Sequence, residues 1–192
     1  SEDDAIVIYT SGQSAEPKGV VHSHRSVTTK THYLRGMYDF GPDTVTTITL
    51  PFFWVGGLTM GLLPTLDAGG VVSCTERSTW GSGQVIGSSA DQDNLYADFR
   101  LFPALGMTES FGIYSWGTEW RADGHPIASP IDELQPDTEL RLVDESGAPV
   151  GDGEVGEILL RGPTITRRLH KVDRADAFDA DGFYRTGDRG LR

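Results

Sequence analysis

"AIVIYTSGQSAEPKGVVHSHRS", Ala5 to Ser26, decides how this chain reads. Its first six residues form a β-branched run bounded by acids and a glycine, the pattern of a buried strand. "GVVHS" gives a second short strand, and Ser23 is placed to cap a helix running toward Met37 with Val27, Leu34 and Met37 on one side. Between the strands, Thr10 to Gly19 gathers hydroxyls, glycines and Lys18. A Walker-type phosphate loop needs G-x-x-x-x-G-K-[ST]; Gly12 and Lys18 have that separation, but Pro17 and Gly19 replace the second glycine and the hydroxyl, which argues against that nucleotidase class. Two readings of the loop remain at this level. One is a turn rich in N–H and O–H donors with a lysine held by the preceding proline, suited to a polyphosphate. The other is an ordinary polar turn, since Ser, Gly and Pro gather in loops for conformational reasons alone.

Working outward, "TVTTITL" reads as a strand, "GGLTMGLLPTLDA" as an apolar helix disturbed by Pro64, and "GGVVSC" as another strand. Alternating strand and helix predicts a layered α/β unit with a mostly parallel sheet over residues 1–135. Glu76 to Asp93 is polar, rich in Ser and Gly, and without a period. From Thr138, "TELRLVDESGAPVGDGEVGEILLRG" has the chemistry of a hairpin, so residues 136–192 are expected to form a small β-rich subdomain.

The chain has 192 residues, with 28 acidic side chains against 16 basic ones and a formal charge of -12. That balance argues against long nucleic acid or an anionic membrane as partner, and it means that a small anionic ligand needs a local positive site. Cys74 is the one cysteine, so neither an internal disulfide nor a cysteine-rich zinc site is expected, and a reducing cytoplasm is the natural compartment. Cys74 itself reads as a small apolar residue on a strand. No stretch approaches the ~18 to 20 apolar residues of a membrane-spanning helix.

Three further segments carry candidate chemistry. In "LGMTESFG", Leu105 to Gly112, Thr108 and Glu109 suit one phosphate oxygen and one magnesium ion; a strand end followed by a helix cap is the bland reading. In "DGFYRTGD", Asp181 to Asp188, the last aspartate follows a glycine turn and suits vicinal hydroxyls, or it simply closes a turn. "PFFWVGG" sets Phe53 and Trp54 beside Gly56 and Gly57, as core packing or as the wall of an apolar pocket. His22 and His24 alternate as on one face of a strand and, lacking further ligands at zinc spacing, read as surface histidines.

Taken in order, these segments resemble the adenylate-forming superfamily of acyl-CoA synthetases, peptide-synthetase adenylation domains and beetle luciferases. "YTSGQSAEPKGVVHSH" resembles the family's phosphate loop, "PFFWVGG" its aromatic border of the acid pocket, and "LGMTES" its Tyr-Gly-x-Thr-Glu motif. "GEVGEILLRGP" resembles the strand pair that follows, and "DGFYRTGD" the motif whose aspartate holds the ribose. The resemblance implies that Thr10, Ser11, Gly12, Ser14, Lys18 and Gly19 surround the outer phosphates of ATP. Thr108 would contact the α-phosphate, Glu109 would hold Mg2+, and Asp188 would bind the ribose. Phe53, Trp54, Gly56 and Gly57 would line the acid pocket, with Lys18, Thr108 and Glu109 as the catalytic set.

The implied activity is ATP-dependent activation of a small carboxylic acid, fatty or aromatic rather than an amino acid, as an acyl-adenylate. Acyl-CoA ligation with coenzyme A is the parent reaction of such an acid–thiol ligase. The sequence departs from the family pattern at Gln13, Ala15 and Leu105. Relatives are expected to carry several dozen more residues after "GGVVSC" and a small C-terminal domain that is absent here, so the fold is expected to be incomplete relative to the family. A truncated, non-catalytic module that binds nucleotide or acyl groups is the alternative.

Overall fold

The computed structural model describes residues 1–10, 17–48, 50–74, 104–116 and 133–191, and the backbone of 85–88. Strands β1 (Asp4–Thr10) and β2 (Lys18–Ser23) form an antiparallel hairpin in which Thr10 lies opposite Lys18. A distant strand, which becomes β11 (Arg168–His170) in chain order, pairs with the other side of β2, so β2 is the middle of this sheet. Its position explains a difference from the sequence reading. In β1, only Ile8 is buried while Val7 and Tyr9 are exposed, because β1 is an edge; the buried strand is β2, whose Gly19, Val20, Val21 and His22 are all enclosed.

Helix α1 (His24–Met37) starts where the Ser23 side chain accepts a hydrogen bond from the Ser26 N–H at 3.1 Å. Its buried positions are Ser26, Lys30 and Leu34, four residues apart on one face. Leu34 and the partly buried Val27 face inward as hydrophobicity selects, while Met37 is exposed and the polar Ser26 and Lys30 share the buried face.

Strand β3 (Thr44–Ile48) runs parallel to β4 (Val71–Cys74) and antiparallel to β5 (Val85–Ser88). Cys74 ends β4 in an exposed position. The crossover from β3 to β4 is helical but not one regular helix. It consists of α2 (Val55–Gly57), a π-helical turn (Leu58–Leu62) and α3 (Leu63–Asp67). In the π turn, the Leu63 N–H reaches back five residues to the Leu58 carbonyl, immediately before Pro64, which has no N–H to continue the regular ladder. A buried bond of 2.7 Å between the Thr46 and Thr65 hydroxyls fastens this crossover to β3.

Strands β6 (Ala104–Met107) and β7 (Gly112–Trp116) are antiparallel, joined by a 3₁₀ turn at Thr108–Ser110, and β8 (Glu133–Leu134) pairs with β7. Strands β9 (Glu139–Val143), β10 (Val155–Arg161) and β12 (Tyr184–Leu191) form an antiparallel sheet with β10 central, as the hairpin chemistry predicts; the short α4 (Arg174–Ala177) precedes β12. The mixed α/β character follows the sequence reading, but the pairing does not. Among the described strands only β3 and β4, which a helical crossover joins, pair in parallel; the consecutive pairs β1–β2, β6–β7 and β9–β10 are hairpins and so antiparallel. The larger core gathers Val20 of β2, Tyr114 of β7, Ile158 and Leu160 of β10, and Leu169 of β11, with Phe178 and Tyr184 beside them. No described helix is long and apolar enough to cross a membrane.

Candidate active site

A smaller apolar cluster gives the site its geometry. Ile8, Val55 and Phe111 are buried against one another. Ile8 lies two residues before Thr10, Val55 directly follows Trp54, and Phe111 lies two residues after Glu109. Three segments that are far apart in sequence are therefore brought together by the residues beside their polar positions. Phe111 takes a left-handed conformation (φ 52°) and Gly112 an even more positive φ of 103°. A Cβ at Gly112 would come within 2.8 Å of Thr59 Oγ1, so the turn is pressed against the π-helical segment.

The backbone of the Thr108 turn is held from several sides. His22 Nε2 donates to the Thr108 carbonyl at 2.7 Å, and the Phe111 N–H donates to the same oxygen at 3.0 Å. The Thr166 N–H donates to the Glu109 carbonyl at 2.7 Å while the Thr166 hydroxyl donates to the Val21 carbonyl at 2.8 Å. Ser110 Oγ accepts the Met107 N–H at 3.2 Å and donates to the Gly112 carbonyl at 2.5 Å. With its carbonyls so occupied, the turn presents Thr108 and Glu109 from a fixed frame.

The Glu109 carboxylate is nearly buried, at 9% exposure, and its Oε1 accepts the Tyr184 hydroxyl at 3.0 Å. This bond ties the second candidate motif to the third. Burial first, then the Glu109 charge, pushes the Tyr184 hydroxyl well above the ordinary tyrosine range, with Asp188 and Glu157 adding to the effect. Asp188 is exposed, beyond Gly187 (φ 77°), and its charge also adds to the burial that raises Tyr114 to about 12. The Asp188 charge thus acts on Tyr184, the hydroxyl that donates to Glu109. Thr10 and Lys18, both half-buried, face each other at the mouth of the β1–β2 hairpin; Ser11, Gly12 and Ser14 lie outside the described residues. Gly19 has a packing role of its own: a Cβ there would meet His170 Cβ at 2.9 Å and the Tyr9 ring at 3.2 Å.

In the aromatic segment, Phe53 is 85% exposed and Trp54 44% exposed. A Cβ on Gly56 would fall 2.6 Å from the Trp54 ring, and one on Gly57 only 2.2 Å from the Pro51 carbonyl. The glycines therefore let the chain fold tightly under the tryptophan, while the two aromatic side chains remain open to a ligand or a further layer.

Two buried ionisable side chains lie behind this face, and the sequence reading missed both. His22 is fully buried rather than on the surface, because β2 is a central strand; His24 opens α1 and is exposed. Burial lowers His22 to about 4 against the opposing effect of its bond to Thr108, and the Lys30 charge lowers it further. Lys30 is also fully buried and donates to the Ile113 carbonyl and to Gln135 Oε1. Gln135 in turn donates to the Thr164 hydroxyl at 3.1 Å. Burial lowers Lys30 to about 7. Its position four residues before Leu34 and four after Ser26, on the same helix face, is the sequence signal that marks it as inward.

No group of three or more His, Cys, Asp or Glu side chains suited to a metal occurs among the described residues. A lone carboxylate such as Glu109 fits Mg2+ that takes its other ligands from phosphate oxygens and water.

The sequence profile described as AMP-binding enzyme matches residues 1–86 and 80–170. Pyochelin synthase PchD of Pseudomonas aeruginosa is 42% identical over 116 residues, covering 57% of this chain and 20% of that protein. Sulfoacetate–CoA ligase of Cupriavidus necator is 26% identical over 235 residues, covering 98% of this chain and 45% of the ligase. Indoleacetate–CoA ligase of Aromatoleum aromaticum is 25% identical over 229 residues, covering 96% of this chain and 44% of that protein. Among solved structures, apo MatB from Rhodopseudomonas palustris superposes with a TM-score of 0.73 at 20% identity, over 99% of this chain and 46% of MatB. McyG A-PCP complexed with phenylalanyl-adenylate gives 0.76 at 17% identity, over 100% of this chain and 40% of that one. These two likenesses are of fold. The chain spans less than half the length of each of these relatives. Its alignment with sulfoacetate–CoA ligase is longer than its own 192 residues, so that relative carries internal residues that this chain lacks.

Proposed function

The chain belongs to the AMP-binding enzyme family, and on that premise we propose that it is the nucleotide-binding part of an acid-activating ligase that joins a small carboxylic acid to AMP. The observation that supports this reading is the Ile8–Val55–Phe111 cluster, which gathers the ends of the phosphate loop, the aromatic segment and the Thr108 turn. In the proposed reaction a carboxylate oxygen attacks the α-phosphorus, the bond to the bridging oxygen breaks, and pyrophosphate leaves. Lys18 and the donors of the loop hold the outer phosphates and take up the charge that develops on the leaving group. Thr108 donates to an α-phosphate oxygen, Asp188 accepts the ribose hydroxyls, and Glu109 would ligate Mg2+, which supplies charge neutralisation across the phosphates when bound.

The exposed faces of Phe53 and Trp54 favour a fatty or aromatic acid over an amino acid, and coenzyme A is the proposed acceptor in the complete reaction. Isotope exchange between pyrophosphate and magnesium-ATP, run across fatty, aromatic and amino acids, tests the reading. Exchange with fatty or aromatic acids is expected; exchange with amino acids alone would overturn the substrate preference. The shorter interior of this chain favours a second reading, a module that binds nucleotide or acyl groups without turnover. Saturable ATP binding with no exchange for any acid would select it.

A further inference from the structure

Resting on the proposed role of Glu109, we propose that the Tyr184 hydroxyl is a positioning group that fixes one oxygen of the Glu109 carboxylate and so sets the other toward the metal and phosphates. The bond spans 3.0 Å between residues 75 positions apart, and no other described side chain donates to this carboxylate. Tyr184 is itself held from behind: it is buried, and its ring packs edge-on against Phe178 with centroids 5.4 Å apart. Its hydroxyl therefore has little freedom to leave Glu109. A carboxylate with one oxygen pinned by a hydrogen bond offers the other at a defined angle, which suits the single-oxygen ligation typical of Mg2+.

The same strand carries Asp188. Between the pairs Leu159–Arg185 and Glu157–Arg189, β10 advances two residues while β12 advances four, so β12 is bulged around Gly187. Tyr184 lies on the inward side before the bulge and Asp188 is exposed on it. One strand thus fixes the carboxylate assigned to the metal and presents the carboxylate assigned to the ribose. A shift of β12 moves both.

The test is the magnesium concentration that gives half-maximal ATP-dependent thermal stabilisation, measured without turnover for wild type, Tyr184→Phe, Glu109→Gln and the double variant. Tyr184→Phe keeps the ring and its contact with Phe178. It should raise the magnesium midpoint by about tenfold, while ATP binding in EDTA is unchanged. A purely structural tyrosine would instead lower the melting temperature equally with and without magnesium, and that result overturns the inference. Glu109→Gln with an unshifted midpoint removes the role of Glu109 and the inference with it. A shift for Glu109→Gln but none for Tyr184→Phe overturns the inference and leaves the proposed function standing. In the double variant no carboxylate is left without its donor, so this comparison remains open if the single variant fails to fold. Its midpoint should equal that of Glu109→Gln, and a further rise would show that Tyr184 acts by another route.

Discussion

His22 Nε2 donates to the Thr108 carbonyl at 2.7 Å, linking β2, the strand that follows Pro17, to the turn that carries Thr108 and Glu109. The bond needs a proton on Nε2, which the neutral tautomer and the imidazolium both carry, so the bond itself favours charging; burial outweighs it and holds His22 near 4 in the folded chain against 6.5 for the free side chain. Between those values the unfolded chain binds a proton that the folded chain refuses. Stability is therefore lost as pH falls from 6.5 toward 4, by up to roughly 3 kcal/mol from this group. Urea denaturation at pH 7.0, 5.5 and 4.5 should show the fall, and His22→Gln, which keeps a donor for Thr108, should flatten it. Equal slopes in both proteins would remove His22 from this role.

Lys30 carries the same trend on to alkaline pH. Burial lowers it to about 7 in the folded chain, against 10.5 when free. From pH 7 to 9 the folded chain releases a proton that the unfolded chain keeps, so stability should rise with pH, by roughly 2 kcal/mol over that interval. Lys30→Met should abolish the rise. Measurements are best stopped near pH 9, because burial pushes Tyr38 and Tyr114 up to about 12 and their ionisation in the unfolded chain opposes folding at higher pH.

Lys18 sits half-buried at the mouth of a hairpin, with Thr10 opposite. Lys18→Ala should weaken ATP or pyrophosphate binding by about tenfold, the worth of one charge-assisted contact, with the melting temperature of the unliganded chain little changed. Calorimetric titration checks the affinity. Unchanged affinity together with lowered stability would assign Lys18 to the fold alone.

Gly112 combines a φ of 103° with Thr59 Oγ1 at 2.8 Å from where a Cβ would stand. Gly112→Ala should cost about 2 kcal/mol or more, from backbone strain and overpacking together, and should weaken nucleotide binding because it displaces the Thr108 turn. Adding Thr59→Ala should recover part of the stability, read by urea denaturation. No recovery would mean that the backbone conformation, not the contact, sets the cost.

The sequence exposes local features well. The Ser23 cap, the hairpin after Thr138 and the paired strands β1 and β2 all follow from residue type and spacing. What it hides depends on neighbours in space. "AIVIYT" looks more buried than "KGVVHS", yet pairing on both sides encloses β2 and leaves β1 as an edge. His22 reads as a surface residue, and Lys30 draws no notice, until the Thr108 turn and Gln135 close over them. The apolar run before Pro64 reads as one helix, and only the bond from Leu63 to Leu58 shows where the ladder widens. For the site, Glu109 and Asp188 are legible as candidate residues, but Tyr184, the side chain that joins their segments, carries no signal in its own motif.

The most direct test of the nucleotide site is thermal unfolding with and without magnesium-ATP. At an ATP concentration ~100 times the dissociation constant, binding to the folded chain alone adds about 2.7 kcal/mol, a shift of roughly 5 to 10 °C for a chain of this size. The account predicts that shift for the wild type and a smaller one for Lys18→Ala. Identical melting curves with and without magnesium-ATP, for a wild-type chain that unfolds cooperatively, would contradict it.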